Sequence, residues 1–189
     1  MWMFATAGNL SILDSPKGIL HITASGRDKS KLTEKDFIQI ELSTKNPIEN
    51  TLNLKPSAET SIHTALYALY PSISCVLHVH TPSSCALEFG LSRANPIQWI
   101  DLPNSEILKA FGDFTEEPNL KVLAVHNHSH VPEIASEMTR SLEKYASKVP
   151  FFLIENHGIT AWGQNVYDAN KNLEAAEFVL QVMVARQKK

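Results

Sequence analysis

The stretch SCVLHVHTPSSC (residues 74–85) places His78 and His80 one residue apart, between Cys75 and Cys85. Imidazole and thiolate groups are ligands that zinc prefers, so the stretch is a candidate metal site. Its apolar first half predicts a strand, in which alternate side chains share a face. His78 and His80 therefore point the same way, with Cα atoms about 6.6 Å apart. Cys75 has the opposite parity and is predicted to face away, and Cys85 falls in a short helix after the strand.

A pair of histidines in this pattern is also compatible with two structural histidines that are satisfied by hydrogen bonds. A catalytic zinc site needs a third protein ligand and keeps one position open for water or substrate. His157, in the segment IENHGITAWG (154–163), is the best candidate for that ligand. It follows a predicted strand and precedes Gly158, a residue that lets the backbone turn tightly.

A second run, VHNHSHVP (125–132), contains three alternating histidines, His126, His128 and His130. If the preceding strand continued through them, all three would share a face and could form a complete metal site. The intervening asparagine and serine and the following proline are turn and cap residues. We therefore expect this cluster to lie in a solvated loop.

The rest of the chain predicts the elements that position these residues. Short apolar or β-branched runs predict strands at 9–13, 19–23, 37–42, 74–80, 96–100, 121–125, 151–155 and 159–163. Apolar spacing and cap residues predict helices from Ser57 to Pro71, from Pro82 to Gly90, from Asn104 to Phe111, from Pro132 to about Ser147, and over about 166–186, where Leu173, Ala176, Leu180 and Val184 form one stripe. His21 and His63 fall in the second strand and the first helix and are expected to be hydrogen-bonded structural residues. The pattern predicts one mixed or antiparallel sheet with helices on its faces.

The bulk composition narrows the class of protein. A chain of 189 residues fits one domain, and a net charge of −3 lacks the basic surplus of a nucleic-acid binder. No apolar run approaches the length that spans a bilayer, and the N-terminus does not have the pattern of a signal peptide. Two cysteines are too few for a disulfide framework, so we expect a reduced, cytoplasmic protein.

Several segments together resemble one family, the zinc-dependent class II aldolase and adducin-head superfamily. These segments are, in chain order, ATAGNLS (5–11), ITASGRDKSKLT (22–33), KPSAETSIHTALY (55–67), VLHVHTPSS (76–84), SEILKAFG (105–112) and NHGITAWG (156–163). The opening of the chain and the PSAET, EILKAFG and HGITAWG motifs favour the dehydratases of methionine salvage within that superfamily over its sugar-phosphate aldolases. The resemblance covers nearly the whole chain.

The resemblance implies a three-layer αβα fold of class II aldolase type, with a central, mainly antiparallel sheet, as a single domain over 1–189. It also implies a homotetramer with active sites near subunit interfaces and one zinc ion per subunit, held by His78, His80 and His157. Glu106 matches the residue that the dehydratases use as acid and base. From its position alone, Glu106 would be an exposed glutamate in the first turn of a helix.

The resemblance further implies a small phosphorylated sugar as substrate, with no nucleic acid and no membrane as partner. Asn9, Ser25, Gly26 and Ser57 match the phosphate pocket, and each is also compatible with an ordinary turn or cap residue. Glu59 matches a metal-contacting base of the aldolases, whereas some dehydratases have cysteine there. We therefore assign Glu59 to the substrate pocket, with a secondary catalytic role.

The chain departs from the family pattern in one respect, and two alternative functions remain open. Family members usually carry a helix before the segment that matches the start of this chain, so that helix is expected to be missing or the start to be incomplete. The nearest alternative function is a class II sugar-phosphate aldolase or epimerase. A non-catalytic, adducin-like interaction head is disfavoured, because such heads lack the zinc histidines.

Overall fold

The computed structural model describes residue 3 and residues 5–48 and 53–187, and the nine strands among them form one sheet. The strands are β1 (Asn9–Asp14), β2 (Ile19–Thr23), β3 (Phe37–Glu41), β4 (Pro47–Ile48), β5 (Cys75–Val79), β6 (Ile97–Asp101), β7 (Lys121–Val125), β8 (Phe151–Ile154) and β9 (Gly158–Gly163). Their order in the sheet is β4-β3-β2-β1-β5-β9-β8-β7-β6, and every neighbouring pair except β7–β8 is antiparallel. Met1 and Trp2, at the opening of the chain, lie outside the described residues.

Helices cover both faces of this sheet. The α-helices are α1 (Thr60–Leu69), α2 (Pro82–Ala86), α3 (Val131–Lys144) and α4 (Val166–Gln187), and two 3-10 helices cover Glu34–Asp36 and Glu106–Phe111. Helices α1 and α3 pack against each other, and α4 packs against β9 and β5. The predicted three-layer α/β class with a mainly antiparallel sheet is therefore confirmed.

The central strands are buried on both faces, which explains their continuous apolar sequences. In β7, Leu123 and Val125 belong to the core beneath α1 and α3, whereas Val122 and Ala124 belong to the core beneath α4. The predicted stripe of α4 faces the second core, with Leu173, Ala176 and Leu180 buried and Val184 partly buried.

The side chains of β5 alternate between the two faces of the sheet in the same way, so His78 and Cys75 lie on different faces. Val76 lies in the core beneath α1 and α3, whereas Cys75, Leu77 and Val79 lie in the core beneath α4. His78 therefore faces the α1 side, and the prediction that Cys75 points away from it is confirmed.

Helix α1 begins two residues later than the predicted start, which took Ser57 as the N-cap. Its N-cap is Glu59, and Ser57 lies in a turn in which its carbonyl accepts a hydrogen bond from the Thr60 amide at 3.2 Å. The Ser57 hydroxyl accepts a hydrogen bond from the Glu59 amide at 3.3 Å. The turn precedes the helix and leaves Glu59 buried at its N-cap.

Three other predicted boundaries are wrong for local reasons. Helix α2 ends at Ala86, before Gly90, because the fully buried Leu87 takes an extended conformation and enters the core. The segment predicted from Asn104 is a 3-10 helix with Ser105 as its N-cap, since Asn104 donates to the Glu116 carbonyl instead. Helix α3 ends at Lys144 instead of about residue 147.

Two further observations bear on the composition-based predictions. Among the described residues, none of the helices combines the length and apolar character needed to cross a membrane. Cys75 and Cys85 are both free thiols, the first buried and the second exposed.

Candidate metal centre

Four side chains from distant parts of the chain meet beside the N-terminus of α1. They are Glu59, His78, His80 and His157, and each offers one ligand atom within 4.8 Å of the others. The Nε2 atoms of His78 and His80 are 2.9 Å apart. One Glu59 carboxylate oxygen lies 3.4 Å from His78 Nε2 and 3.1 Å from His157 Nε2. The structure thus brings the three predicted ligands together and adds a carboxylate.

The geometry and chemistry of this group fit a metal ion. Ligand atoms about 2.1 Å from a tetrahedral zinc ion are separated by about 3.4 Å, close to the distances between these four groups. Three imidazoles and one carboxylate form a donor set that zinc accepts readily. Among the described residues this is the one group of its kind.

Strand pairing fixes the orientation of His78. In the sheet, His78 lies opposite Asn9 of β1 on one side and Thr160 of β9 on the other. Its Nδ1 lies 2.9 Å from the Thr160 hydroxyl oxygen. An Nδ1–H that donates to Thr160 leaves the Nε2 lone pair free for a metal, as is typical of metal-binding histidines. The sequence analysis did not identify Thr160, because its role depends on pairing between segments 82 residues apart.

The turn between β8 and β9 places His157, and Gly158 is needed there for a different reason from the predicted one. The residue in the left-handed conformation is Asn156, with φ of 55°. A Cβ atom on Gly158 would lie 2.2 Å from the Val79 carbonyl oxygen and 3.1 Å from ring carbons of His78 and His80. Glycine therefore allows β9 to approach β5 closely beneath the histidines.

Burial and mutual attraction set the protonation states of the group. Burial lowers the pKa of His78 to about 3, although attraction to Glu59 opposes the shift. Burial also lowers the pKa of His80. Burial alone would raise the pKa of Glu59, but attraction to His78 and a hydrogen bond with His157 hold it well below its usual value. At neutral pH, His78 and His80 are neutral and Glu59 is ionised, which are the states that bind a metal.

The predicted substrate residues surround a cavity of about 290 Å³ beside this group. Asn9, Ser25, Gly26, Ser57 and Glu59 all line it, together with His80 and His157. The Asn9 side-chain amide donates a hydrogen bond to the Glu59 carboxylate, and Gly26 adopts a φ of 73°, which favours glycine. The cavity also contains Lys29, which the sequence analysis did not identify, because nothing in its local pattern distinguishes it from the other cations of the loop.

Glu106 lies outside both the group of four possible metal ligands and the cavity beside it. Its side chain is 84% exposed at the start of the second 3-10 helix, and its carboxylate is paired with Lys109 at 2.6 Å. It does not line the cavity. Its predicted catalytic role stays a prediction.

The three-histidine run forms the predicted loop between β7 and α3, but the prediction that this loop is solvated is wrong for His128. The His128 side chain is only 5% exposed, and its Nδ1 lies 3.2 Å from the Glu133 carboxylate. His130, by contrast, is 68% exposed. One histidine of the run is therefore buried beside the first turn of α3, which the turn residues alone do not indicate.

His63 is the hydrogen-bonded structural residue that its helical position predicts. It is fully buried one turn after Glu59, and its Nδ1 lies 2.7 Å from the Ser11 hydroxyl. That hydroxyl also lies 2.9 Å from the Tyr67 hydroxyl, and Tyr67 donates to the Ser11 carbonyl. These contacts hold the first turns of α1 against β1 and so position Glu59.

Substituting Gly158 with alanine tests the close approach of the two strands. We expect Gly158→Ala to weaken zinc binding about tenfold to a hundredfold, because the new Cβ displaces β9 from the histidine rings. The measurement is the zinc dissociation constant from competition with a chelator. The matched control is Gly163→Ala in the same strand, which clashes with Ala169 instead and should destabilise the fold without this loss of affinity. Equal zinc affinity in both variants would contradict the assignment.

The buried state of His63 predicts a pH-dependent stability. Burial lowers the pKa of His63 from 6.5 to about 4, so between these values the unfolded chain binds one more proton than the folded protein. This contribution to stability is complete above pH 6.5 and is lost as the pH falls towards 4.

In His63→Asn, which keeps a hydrogen-bond donor, the free energy of unfolding should decline less steeply below pH 6.5. The slope should differ from that of the unmodified protein by about 1.4 kcal/mol per pH unit. Urea unfolding of the metal-free proteins measures it. Ser11→Ala keeps the imidazole and should keep the original slope; an unchanged slope in His63→Asn would refute the prediction.

Comparison with known proteins agrees with these features. A sequence profile of the class II aldolase and adducin N-terminal domain family matches residues 1–184. The chain is 48% identical to methylthioribulose-1-phosphate dehydratase of Leptospira biflexa serovar Patoc, over 98% of this chain and 90% of the relative. It is 41% identical to the protein of the same name from Geobacillus sp. strain WCH70, over 94% and 80% of the two chains.

Solved structures agree with the fold. An L-fuculose 1-phosphate aldolase superimposes with a TM-score of 0.75 at 24% identity, covering 97% of this chain and 77% of the other. L-fuculose-1-phosphate aldolase from Thermus thermophilus gives 0.71 at 23% identity, over 98% and 86%. With its profile match, its close relatives and this shared fold, the chain belongs to the class II aldolase and adducin N-terminal domain family.

Proposed function

We propose that this protein is a zinc-dependent hydro-lyase of methionine salvage. Its substrate is 5-methylthioribulose 1-phosphate and its product is 2,3-diketo-5-methylthiopentyl 1-phosphate. The observation that carries the proposal is the group of three histidines and one carboxylate at a polar cavity, in a chain 48% identical to a dehydratase of that name. His78, His80 and His157 are the proposed zinc ligands.

The reaction takes the proton from C3 and the hydroxyl from C4 as water, and the resulting enol tautomerises to the diketone. When bound, zinc would supply Lewis-acid polarisation of the substrate carbonyl, which acidifies the C3 proton. The residues of the chain bind the substrate, orient it and move the protons.

The cavity residues divide these tasks by chemistry. Ser25, Gly26 and Ser57 present hydroxyl and backbone groups that suit the phosphate. Asn9 also lines the cavity, and its amide donates to the carboxylate of Glu59. An ionised Glu59 beside the three histidines is placed either to complete the metal group or to accept a proton from the substrate.

Glu106 serves as the acid and base from a neighbouring subunit in this proposal. Its carboxylate is exposed and is paired with a lysine of its own turn, not with any residue of the cavity. An exposed carboxylate is free to enter the site of another copy. This arrangement fits the tetramer with active sites near subunit interfaces that the resemblance implies.

An aldolase or epimerase acting on another sugar phosphate is the second candidate function. The observation that favours it is the carboxylate of Glu59 among the histidines, since the matching glutamate of the aldolases is a metal-contacting base. Both reactions pass through an enediolate-type anion, so the presence of zinc does not distinguish them.

A substrate panel with zinc measured on the same sample separates the two. We expect stoichiometric zinc and dehydration of 5-methylthioribulose 1-phosphate, with fuculose 1-phosphate and rhamnulose 1-phosphate left uncleaved. Mass spectrometry of the products reads the loss of one water. Cleavage of either of the latter two, without dehydration of the first, would favour the aldolase. If the carefully purified protein contains no zinc, the result would instead favour the non-catalytic, adducin-like interaction head.

Replacing Glu106 tests whether it acts as the acid and base. Glu106→Gln should reduce kcat by about a hundredfold or more with zinc still bound, because general acid–base catalysis is lost. An unimpaired variant would contradict the role.

Mixing subunits tests whether Glu106 acts in the site of a neighbouring subunit. Glu106→Gln protein is unfolded and refolded with an equal amount of His157→Ala protein, which keeps Glu106 but lacks one ligand. If Glu106 acts across the interface, about a quarter of the sites in random tetramers combine both intact parts and regain activity. If it acts within its own subunit, the mixture stays as inactive as its parents.

A further inference from the structure

The loop after β2 carries three cations, and only one of them lines the candidate site. Arg27 is paired with Asp36 at 3.3 Å, and Lys31 is paired with Asp28 at 3.6 Å. Lys29 lies between them, is half-buried and lines the cavity beside Glu59 and His80. Among the described residues, no carboxylate forms an ion pair with Lys29.

Backbone carbonyl groups hold the Lys29 ammonium in place. Its Nζ atom donates to the carbonyls of Thr6 and Arg27, each at 2.9 Å. An ammonium group has three donors, so these two contacts leave one for a ligand. Both partners are neutral carbonyl groups, and the carboxylates of Glu59 and Asp28 attract the ammonium without forming an ion pair with it.

A glycine and local hydrogen bonds fix the conformation of the loop on either side of Lys29. Gly26 takes a φ of 73° at its start, and the Asp28 carboxylate accepts hydrogen bonds from the Ser30 amide and hydroxyl at 3.0 and 2.7 Å. Asp28 is thereby occupied with its own turn and with Lys31. Lys29 lines the cavity together with Ser25 and Gly26, and it also borders a neighbouring apolar pocket beside Leu10 and Leu77.

A dianion in this cavity needs a positive partner. A phosphate monoester carries close to two negative charges at neutral pH, and Glu59 adds another. The protein has a net charge of −3, so its overall field does not favour an anion. Hydroxyl and backbone donors bind phosphate but do not neutralise it, whereas a lysine ammonium does.

We propose that Lys29 is a substrate-binding residue that donates its third N–H to the phosphate group of the substrate and so makes the site selective for phosphorylated sugars. The identity of the sugar rests on the proposed function, but the contact with phosphate does not. Lys29 thereby adds a charge to a pocket whose other proposed phosphate ligands are neutral.

The test compares Lys29→Met with Lys31→Met, which removes a neighbouring lysine that is paired with Asp28. Two quantities are measured on zinc-loaded protein: the dissociation constant for inorganic phosphate, by calorimetry, and the KM and kcat for 5-methylthioribulose 1-phosphate. Lys29→Met should weaken phosphate binding and raise KM by about tenfold to a hundredfold, with kcat nearly unchanged. Lys31→Met should match the unmodified protein, and Lys29→Arg should restore much of the phosphate affinity.

Unchanged phosphate affinity in Lys29→Met would overturn the proposal. If kcat falls in that variant while KM and phosphate affinity stay unchanged, Lys29 acts at the reacting carbons instead. If the unmodified protein fails to dehydrate the substrate but binds phosphate in a manner that depends on Lys29, the proposed function is wrong and the phosphate contact stands.

Discussion

The register of three adjacent strands is the constraint on which the candidate site depends. Asn9, His78 and Thr160 lie in one row across β1, β5 and β9. The first of these residues holds Glu59, the second is a proposed ligand, and the third orients the second. A slip of one residue in either pairing would put His78 and its partner in that pairing on opposite faces of the sheet and so separate the group. The apolar core beneath α4 opposes such a slip, because the slip would bury polar side chains there without partners.

Burial of a carboxylate is the energetic cost of this arrangement. An ionised Glu59 that is almost fully buried is stabilised by the hydrogen bond from the Asn9 amide and by the contact with His157 Nε2 at 3.1 Å. The contacts of His63 with Ser11 and Tyr67 fix the helix that carries Glu59, so the core beneath α1 supports the site directly. The same turn of α1 therefore contributes to the stability of the fold and to the position of Glu59.

The sequence predicted the parts of the fold and the site that depend on local periodicity. Strand alternation placed His78 and Cys75 on opposite faces, and apolar spacing together with cap and start residues located the four α-helices of the described residues. It did not predict Thr160, the burial of His128 or the cavity position of Lys29, since each depends on contacts between segments that only the folded chain brings together. The start of α1 was misplaced because a serine that can cap a helix can equally form the turn before it. The predicted ligands and substrate residues came partly from parity and largely from resemblance, and they remain proposals about chemistry.

X-ray absorption spectroscopy of the zinc-loaded protein tests the central claim most directly, because it identifies the atoms around the metal. We expect three nitrogen ligands at about 2.0–2.1 Å, with oxygen completing the shell and no sulfur. A sulfur ligand at about 2.3 Å, supplied by Cys75 or Cys85, would contradict the assignment of His78, His80 and His157 as the zinc site.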